Sequence, residues 1–209
     1  SVVSPDLDDP LIERRVYWNL ENAGRTCYKS EPAHDVPLDE LVKQSGDFVR
    51  KIIKNGHTAM LEHRSMSVKF TVDRGVSHEL VRHRIASFAQ ESTRYCNYSK
   101  DKFGNEITVI DPVFFCDISK KRKEEILNVL DGFYMDNPIN FTDHERAYAR
   151  WYDACRFAET EYFNMLELGC TPQEARAVLP NSLKTEIVVT ANMREWQAKI
   201  GRASCRERV

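Results

Sequence analysis

The sequence predicts an α+β fold, a mainly antiparallel sheet flanked by helices. Residues 65–72 alternate strictly between polar and apolar side chains, the period-two signature of a half-buried strand. Amphipathic helical segments alternate with separated strands along the chain, which suits a sheet covered by helices on one face. No repeat, low-complexity tract or glycine-rich dinucleotide fingerprint is present, so a Rossmann crevice is not expected.

Taken in order, Leu11, Ile12, Val16 and Leu20 recur at helical spacing from Asp9 onward, and Gly24 is the expected helix end. After a Pro-containing loop, 38–54 forms a second amphipathic helix through Leu41, Phe48, Ile52 and Ile53, closed by Asn55 and Gly56. The strand 65–72 follows and is broken by Asp73, Arg74 and Gly75. Residues 76–85 read as a helix with Val76, Leu80 and Val81 inward. Residues 106–110 read as a short strand and 120–133 as a charged amphipathic helix. Thr142 and Glu145 form a capping box that opens a long helix over 142–168. Its stripe of Trp151, Cys155, Ala158, Tyr162 and Leu166 reads as core, and Gly169 ends it. Thr171, Pro172 and Glu174 open a short helix that stops before Pro180. A strand over 183–191 follows, and Asn192 caps a last helix.

With 209 residues and 42% hydrophobic content, the chain suffices for one domain with a sizeable core, assigned here to 1–199. The segment 200–209, IGRASCRERV, resembles a translated adapter sequence and is set aside as a non-native tail, the alternative being a natural polar tail. On the first reading the native C-terminus is missing. The net charge of −2 makes any basic cluster a local feature and disfavours nucleic acid as the main partner. The six cysteines contain no C-x-x-C pair, which argues against zinc and a disulfide framework. No apolar run reaches the ~18 to 20 residues that span a bilayer, and no signal segment is evident. A cytoplasmic protein without a membrane partner is expected.

One segment breaks this even charge balance. Between Arg82 and Tyr95 the chain reads RHRIASFAQESTRY, so Arg82, His83, Arg84 and Arg94 are interleaved with Gln90, Glu91, Ser92 and Thr93. The planar, permanently protonated guanidinium matches phosphate oxygens two at a time, which points to a phosphorylated small molecule. On a helix, Arg82, His83 and Arg84 would face different ways and serve different ligand atoms. Residues 90–94 would form a loop whose backbone N–H groups, Ser92 hydroxyl and Arg94 guanidinium converge on a monophosphate. Glu79, one turn before Arg82, either orients a neighbour or contacts the nucleotide, or forms an intrahelical ion pair. His57, His63, His78 and His83 lack the spacing of a catalytic zinc helix, so no metal is expected.

The same run resembles the signature of the flavin-dependent thymidylate synthases: Arg-His-Arg at 82–84, seven residues, then Ser92, extended by Thr93, Arg94 and Tyr95. The resemblance covers roughly Leu11 to Trp196. It implies reductive methylation of dUMP to dTMP, with methylenetetrahydrofolate as carbon donor, FAD as cofactor and NADPH as co-substrate. It implies that Arg82, Ser92 and Arg176 are catalytic. His57, Arg82, His83, Arg84, Gln90, Asn192 and Arg194 would contact the flavin. Glu79, Arg82, Gln90, Glu91, Ser92, Thr93, Arg94 and Arg176 would contact dUMP, although many relatives carry Gln where this chain has Glu79. Glu62 matches a structurally important Glu, and Asn192 reads equally as a plain N-cap paired with Glu195. Past Trp196 the resemblance fails, and Arg202 only approximates a further Arg of the family. A homotetramer with active sites shared between subunits is also implied, and no Cys nucleophile. The alternatives are an RNA-binding module using 82–98, with Tyr95 and Tyr98 as stacking surfaces, and a truncated, inactive family member.

Overall fold

A computed structural model describes residues 12–31, 37–100, 104–131 and 141–198. The expectations for Leu11, for 132–133 and for the tail with Arg202 lie outside the described residues. The helices are α1 (Ile12–Tyr28), α2 (Leu38–Lys54), α3 (Arg74–Leu80), α4 (Lys120–Asp131), α5 (Asp143–Glu167) and α6 (Pro172–Ala175), and 193–198 is also helical. Strands β1 (Ser65–Asp73), β2 (Ser87–Gln90) and β3 (Lys184–Asn192) form one antiparallel sheet in the order β1-β3-β2. The fold class is therefore α+β.

Central placement of β3 explains its burial. Thr185, Ile187, Val189 and Ala191 are buried while their neighbours are half-exposed. The strand with the cleanest sequence alternation, β1, is an edge strand, and its residues are mostly half-buried on both faces. Ser67 and Thr190 hydroxyls meet at 2.7 Å, and the Arg74 N–H donates to the Leu183 carbonyl at 3.1 Å.

The chain divides into two compact units, the first comprising 1–70, 83–89 and 187–209 and the second 71–82 and 90–186. In the first unit, α1 and α2 pack through Leu20, Val49 and Leu61, with Val16, Ile53 and Met193 against them. A buried Glu21 carboxylate ties the pair together: Arg25 donates to it at 2.7 Å and Ser45 of α2 also donates. In the second unit, Tyr98, Tyr162, Ala175 and Leu183 form one core cluster, and Phe115, Ile118, Ile126, Tyr148 and Ala149 form another.

Several expectations require correction. Gly24 does not end α1, which continues to Tyr28; it sits where a Cβ would lie 2.7 Å from the Phe48 ring. The glycine therefore answers a close helix-to-helix approach. Helix α3 stops at Leu80, closed by the Arg82 N–H bonding the Glu79 carbonyl at 3.2 Å. Its inward residue is Ser77, completely buried, whereas Val76 and Val81 are exposed. Residues 106–110 make only an isolated antiparallel bridge, Val109 to Leu183. Strand β2 was not expected; its four residues are too few for a period to be read.

Helix α5 opens with its capping box, Glu145 N–H to Thr142 Oγ1 at 3.2 Å and Thr142 N–H to the Glu145 carboxylate at 2.8 Å. Gly169, at φ +94°, follows its C-terminus in the left-handed region that glycine adopts without a Cβ penalty. Helix α6 carries the expected capping box of Thr171 and Glu174, with Pro172 at its first position.

Candidate functional site

Arg82, His83 and Arg84 lie in the turn between α3 and β2 and not on a helix, so the helical spreading of their side chains does not apply. Arg82 and Glu79 form an exposed ion pair at 3.5 Å, the local pairing that their spacing allows. Exposed pairs of this kind contribute little stability and leave the guanidinium able to exchange partners.

The second unit holds a cleft of about 390 Å³ that brings together Arg74, His78, Thr93, Gln173, Arg176 and Asn181, among others. This is within the size range of small-ligand sites. Its lining contains two guanidiniums and an imidazole but no carboxylate, so it favours an anion. Thr93 is buried, and Arg176 Nη1 reaches its hydroxyl at 3.5 Å. Arg176 Nε also donates to the Gln173 carbonyl at 3.2 Å.

The loop after β2 frames this cleft through a set of backbone bonds. The Glu91 N–H donates to the Glu186 carbonyl at 2.9 Å, and the Tyr95 and Cys96 N–H groups donate to the Ser92 carbonyl. The Arg94 N–H donates to the Ser92 hydroxyl at 3.3 Å, so that hydroxyl helps to close the turn. Of the loop's N–H groups, those of Ser92 and Thr93 have no acceptor among the described residues. Arg94 is exposed; its Nε donates to the Gln173 side chain at 3.1 Å and its guanidinium lies 5.7 Å from the Tyr95 ring. Gln90 turns inward, its amide donating to Ser77 Oγ at 2.8 Å and Thr185 Oγ1 at 3.3 Å. It anchors the start of the loop against two buried hydroxyls. Burial and the nearby Glu91 charge push the Tyr98 phenol above its ordinary range.

His57, His83, Arg84, Asn192 and Arg194 all belong to the first unit. His57 is exposed, and its Nδ1 lies 2.5 Å from the Tyr28 hydroxyl with the two rings stacked. His83 is half-buried and Arg84 exposed. Arg194 donates to the Glu62 carboxylate. Asn192 Oδ1 accepts from the Glu195 N–H at 2.9 Å, which makes Asn192 the N-cap of helix 193–198 and leaves its amide nitrogen as the donor for any ligand. Among the described residues no three His, Cys, Asp or Glu side chains converge in a metal-binding arrangement.

Residues 17–208 match the profile of a family described as thymidylate synthase complementing protein. The chain belongs to this family. It is 33% identical over 195 residues to the flavin-dependent thymidylate synthase of Corynebacterium glutamicum, covering 87% of this chain and 65% of that protein. The enzyme of the same name from Mycolicibacterium vanbaalenii is 35% identical over 191 residues, with coverages of 85% and 63%. That of Geobacter sulfurreducens is 31% identical over 189 residues, with coverages of 88% and 66%. The chain thus spans a little under two thirds of the length of these relatives.

Within this family member, the cleft contains residues that motif reading missed. Arg74 is legible only as a strand breaker in sequence, and His78 only as one of several scattered histidines. Their i, i+4 spacing on α3 is the available signal, since it places both on one helix face. Gln173 and Asn181 carry no sequence signal of their own. Conversely, Arg82 and Arg94 do not line the cleft, although both belong to the same unit.

Proposed function

We propose that this chain converts dUMP to dTMP by reductive methylation, with methylenetetrahydrofolate as carbon donor, FAD as cofactor and NADPH as the reductant consumed. The observation that carries this reading is the cationic cleft of the second unit, lined by Arg74, His78 and Arg176, in a chain of this family. A dianionic monophosphate suits that lining. Thr93 and Arg176 in the cleft lining recognise the phosphate together with Ser92 and Arg94 of the adjoining loop, and Gln90 and Glu91 hold that loop. Arg82 and Arg176 polarise the uracil, with Glu79 holding Arg82 until the nucleotide arrives. Preorganised charge of this kind stabilises negative charge developing on the ring.

The first-unit residues fit a flavin dinucleotide by their chemistry: His83, Arg84 and Arg194 are suited to a diphosphate, and the Asn192 amide and His57 to ring-edge oxygens and nitrogens. The flavin, when bound, supplies hydride transfer. The chain's residues position it. Cys96 packs against the Tyr98 core cluster, consistent with a mechanism that uses no thiol nucleophile. We read 1–199 as one functional domain of a cytoplasmic homotetramer whose active sites combine residues from several subunits.

An absorption spectrum of the purified chain tests the reading. A flavin band near roughly 450 nm that shifts on adding dUMP is expected. A colourless protein that neither takes up FAD nor binds dUMP refutes it. The RNA-binding alternative is weakened at Tyr98, which is only 6% exposed and cannot offer a stacking face, whereas Tyr95 is 80% exposed.

A further inference from the structure

We infer that Tyr28 is a positioning residue for His57: its phenol sets the orientation and tautomer of the imidazole, which then presents Nε2–H as a donor to an acceptor on the edge of the flavin ring. The inference rests on the flavin reading of the first unit and adds to it a residue and a direction of hydrogen bonding. Tyr28 is the last residue of α1, and its backbone is fixed there by the helix stop. Lys29 turns into the left-handed region at φ +49°, and the Ser30 N–H donates back to the Arg25 carbonyl at 3.2 Å. His57 is fixed similarly after α2. Gly56, at φ +74°, turns the chain, and the His57 N–H donates to the Ile52 carbonyl at 2.9 Å. The two turns also touch beside this pair, where Cys27 Sγ lies 3.9 Å from Met60 Sδ.

What the backbone leaves open is the imidazole ring itself. The Tyr28 hydroxyl lies 2.5 Å from His57 Nδ1, and the rings stack with centroids 6.1 Å apart and 27° between their planes. A phenol O–H is a strong donor and a poor acceptor, whereas the bare nitrogen of a neutral imidazole is a good acceptor. The bond therefore runs from the Tyr28 hydroxyl to Nδ1, and the ring proton stays on Nε2. Among the described residues Nε2 has no protein acceptor. Both side chains are exposed, Tyr28 by 56%. In open water such a bond adds little to stability, and it strengthens when a ligand covers the pair and displaces competing water. An exposed pair that contributes little to folding, yet fixes which ring nitrogen carries the proton, suits ligand contact.

Tyr28→Phe keeps the ring and removes the hydroxyl. FAD titration of the wild type, Tyr28→Phe, His57→Ala and the double variant separates positioning from direct contact. We expect Tyr28→Phe to weaken FAD binding about three- to ten-fold when His57 is present and less than about 1.5-fold when it is already alanine, because the hydroxyl acts through the imidazole. The chain without flavin supplies an independent readout. Its six histidines are labelled with a nitrogen isotope and read by solid-state NMR at alkaline pH, and the His57 signals are those lost in His57→Ala. In the wild type they should show one protonated and one bare nitrogen; in Tyr28→Phe the two signals should move toward each other as the tautomers exchange. Unchanged FAD affinity in Tyr28→Phe, an equal loss in the His57→Ala background, or identical His57 nitrogen signals in wild type and Tyr28→Phe overturns the proposal. A wild-type chain that takes up no FAD overturns the flavin reading itself and this inference with it.

Discussion

At the scale of single residues, the signature divides by chemistry. Arg94 is exposed and held by one bond to Gln173, so its guanidinium is available to an anion at small reorganisation cost. A hydrogen bond to a charged group contributes roughly 1.5–3 kcal/mol, and Arg94→Ala is therefore expected to weaken dUMP binding more than ten-fold. Flavin content, measured by absorbance after denaturation, should remain near wild type; equal loss of both ligands would show that the partition is wrong. His83 carries the complementary expectation. It is half-buried in the first unit, and His83→Ala should lower the flavin-to-protein ratio several-fold while dUMP affinity measured by titration changes little. An unchanged flavin ratio would remove His83 from the cofactor site.

At the scale of elements, two close contacts decide stability. The glycine that sequence reading takes as a helix stop lies inside α1 against Phe48, whose ring also carries the Arg25 guanidinium at 4.8 Å. Helix propensity alone would make Gly24→Ala stabilising by about 1 kcal/mol, but the added methyl would lie 2.7 Å from the ring. Overpacking costs about 1–3 kcal/mol, so we expect net destabilisation in urea melts, relieved when Phe48→Leu is combined with it. At the start of α5, the Arg122 guanidinium, 2.5 Å from the Glu145 carboxylate, together with the Thr142 backbone, holds that carboxyl down at about 2. A carboxylate depressed in the folded state stabilises above its ordinary value of 4.5, and that contribution disappears as pH falls toward about 2. Glu145→Gln should therefore be less stable than wild type at neutral pH, with the gap closing through this window; a gap constant with pH would mean that the cap alone matters. The same elements show what sequence makes legible. Thr142, Glu145 and Gly169 announce α5 because caps and stops depend on neighbours within four residues. Gly24, Val76 and β2 misread because their environment comes from residues distant in the chain: Phe48 for the glycine, Gln90 for the inward Ser77, and β3 for the short strand. The site divides likewise. The 82–95 run is visible as a continuous string, whereas Arg74, His78 and Asn181 become cleft residues only when the segments carrying them are folded together.

At the scale of the whole molecule, the proposed ligands draw on different parts of the chain. His57, His83, Arg84, Asn192 and Arg194 belong to one compact unit; Glu79, Arg82, Gln90, Ser92, Arg94 and Arg176 belong to the other. In a homo-oligomer whose active sites combine residues from several subunits, a single site can take its flavin-side groups from one subunit and its nucleotide-side groups from another. This arrangement makes a specific prediction for mixed oligomers. His83→Ala and Arg94→Ala chains, each impaired alone, would be unfolded together, refolded at equal ratio and assayed for dTMP formation at FAD and dUMP concentrations too low to fill the weakened sites. If the two residues of one site come from different chains, roughly a quarter of the sites pair an intact His83 with an intact Arg94, and about that fraction of wild-type activity returns. Light scattering of the same sample should give four times the 24.3 kDa chain mass. If each site is built within one chain, every site in the mixture carries one defect and activity stays at the level of the separate variants, which would refute the shared-site arrangement while leaving the assignment of the individual residues intact.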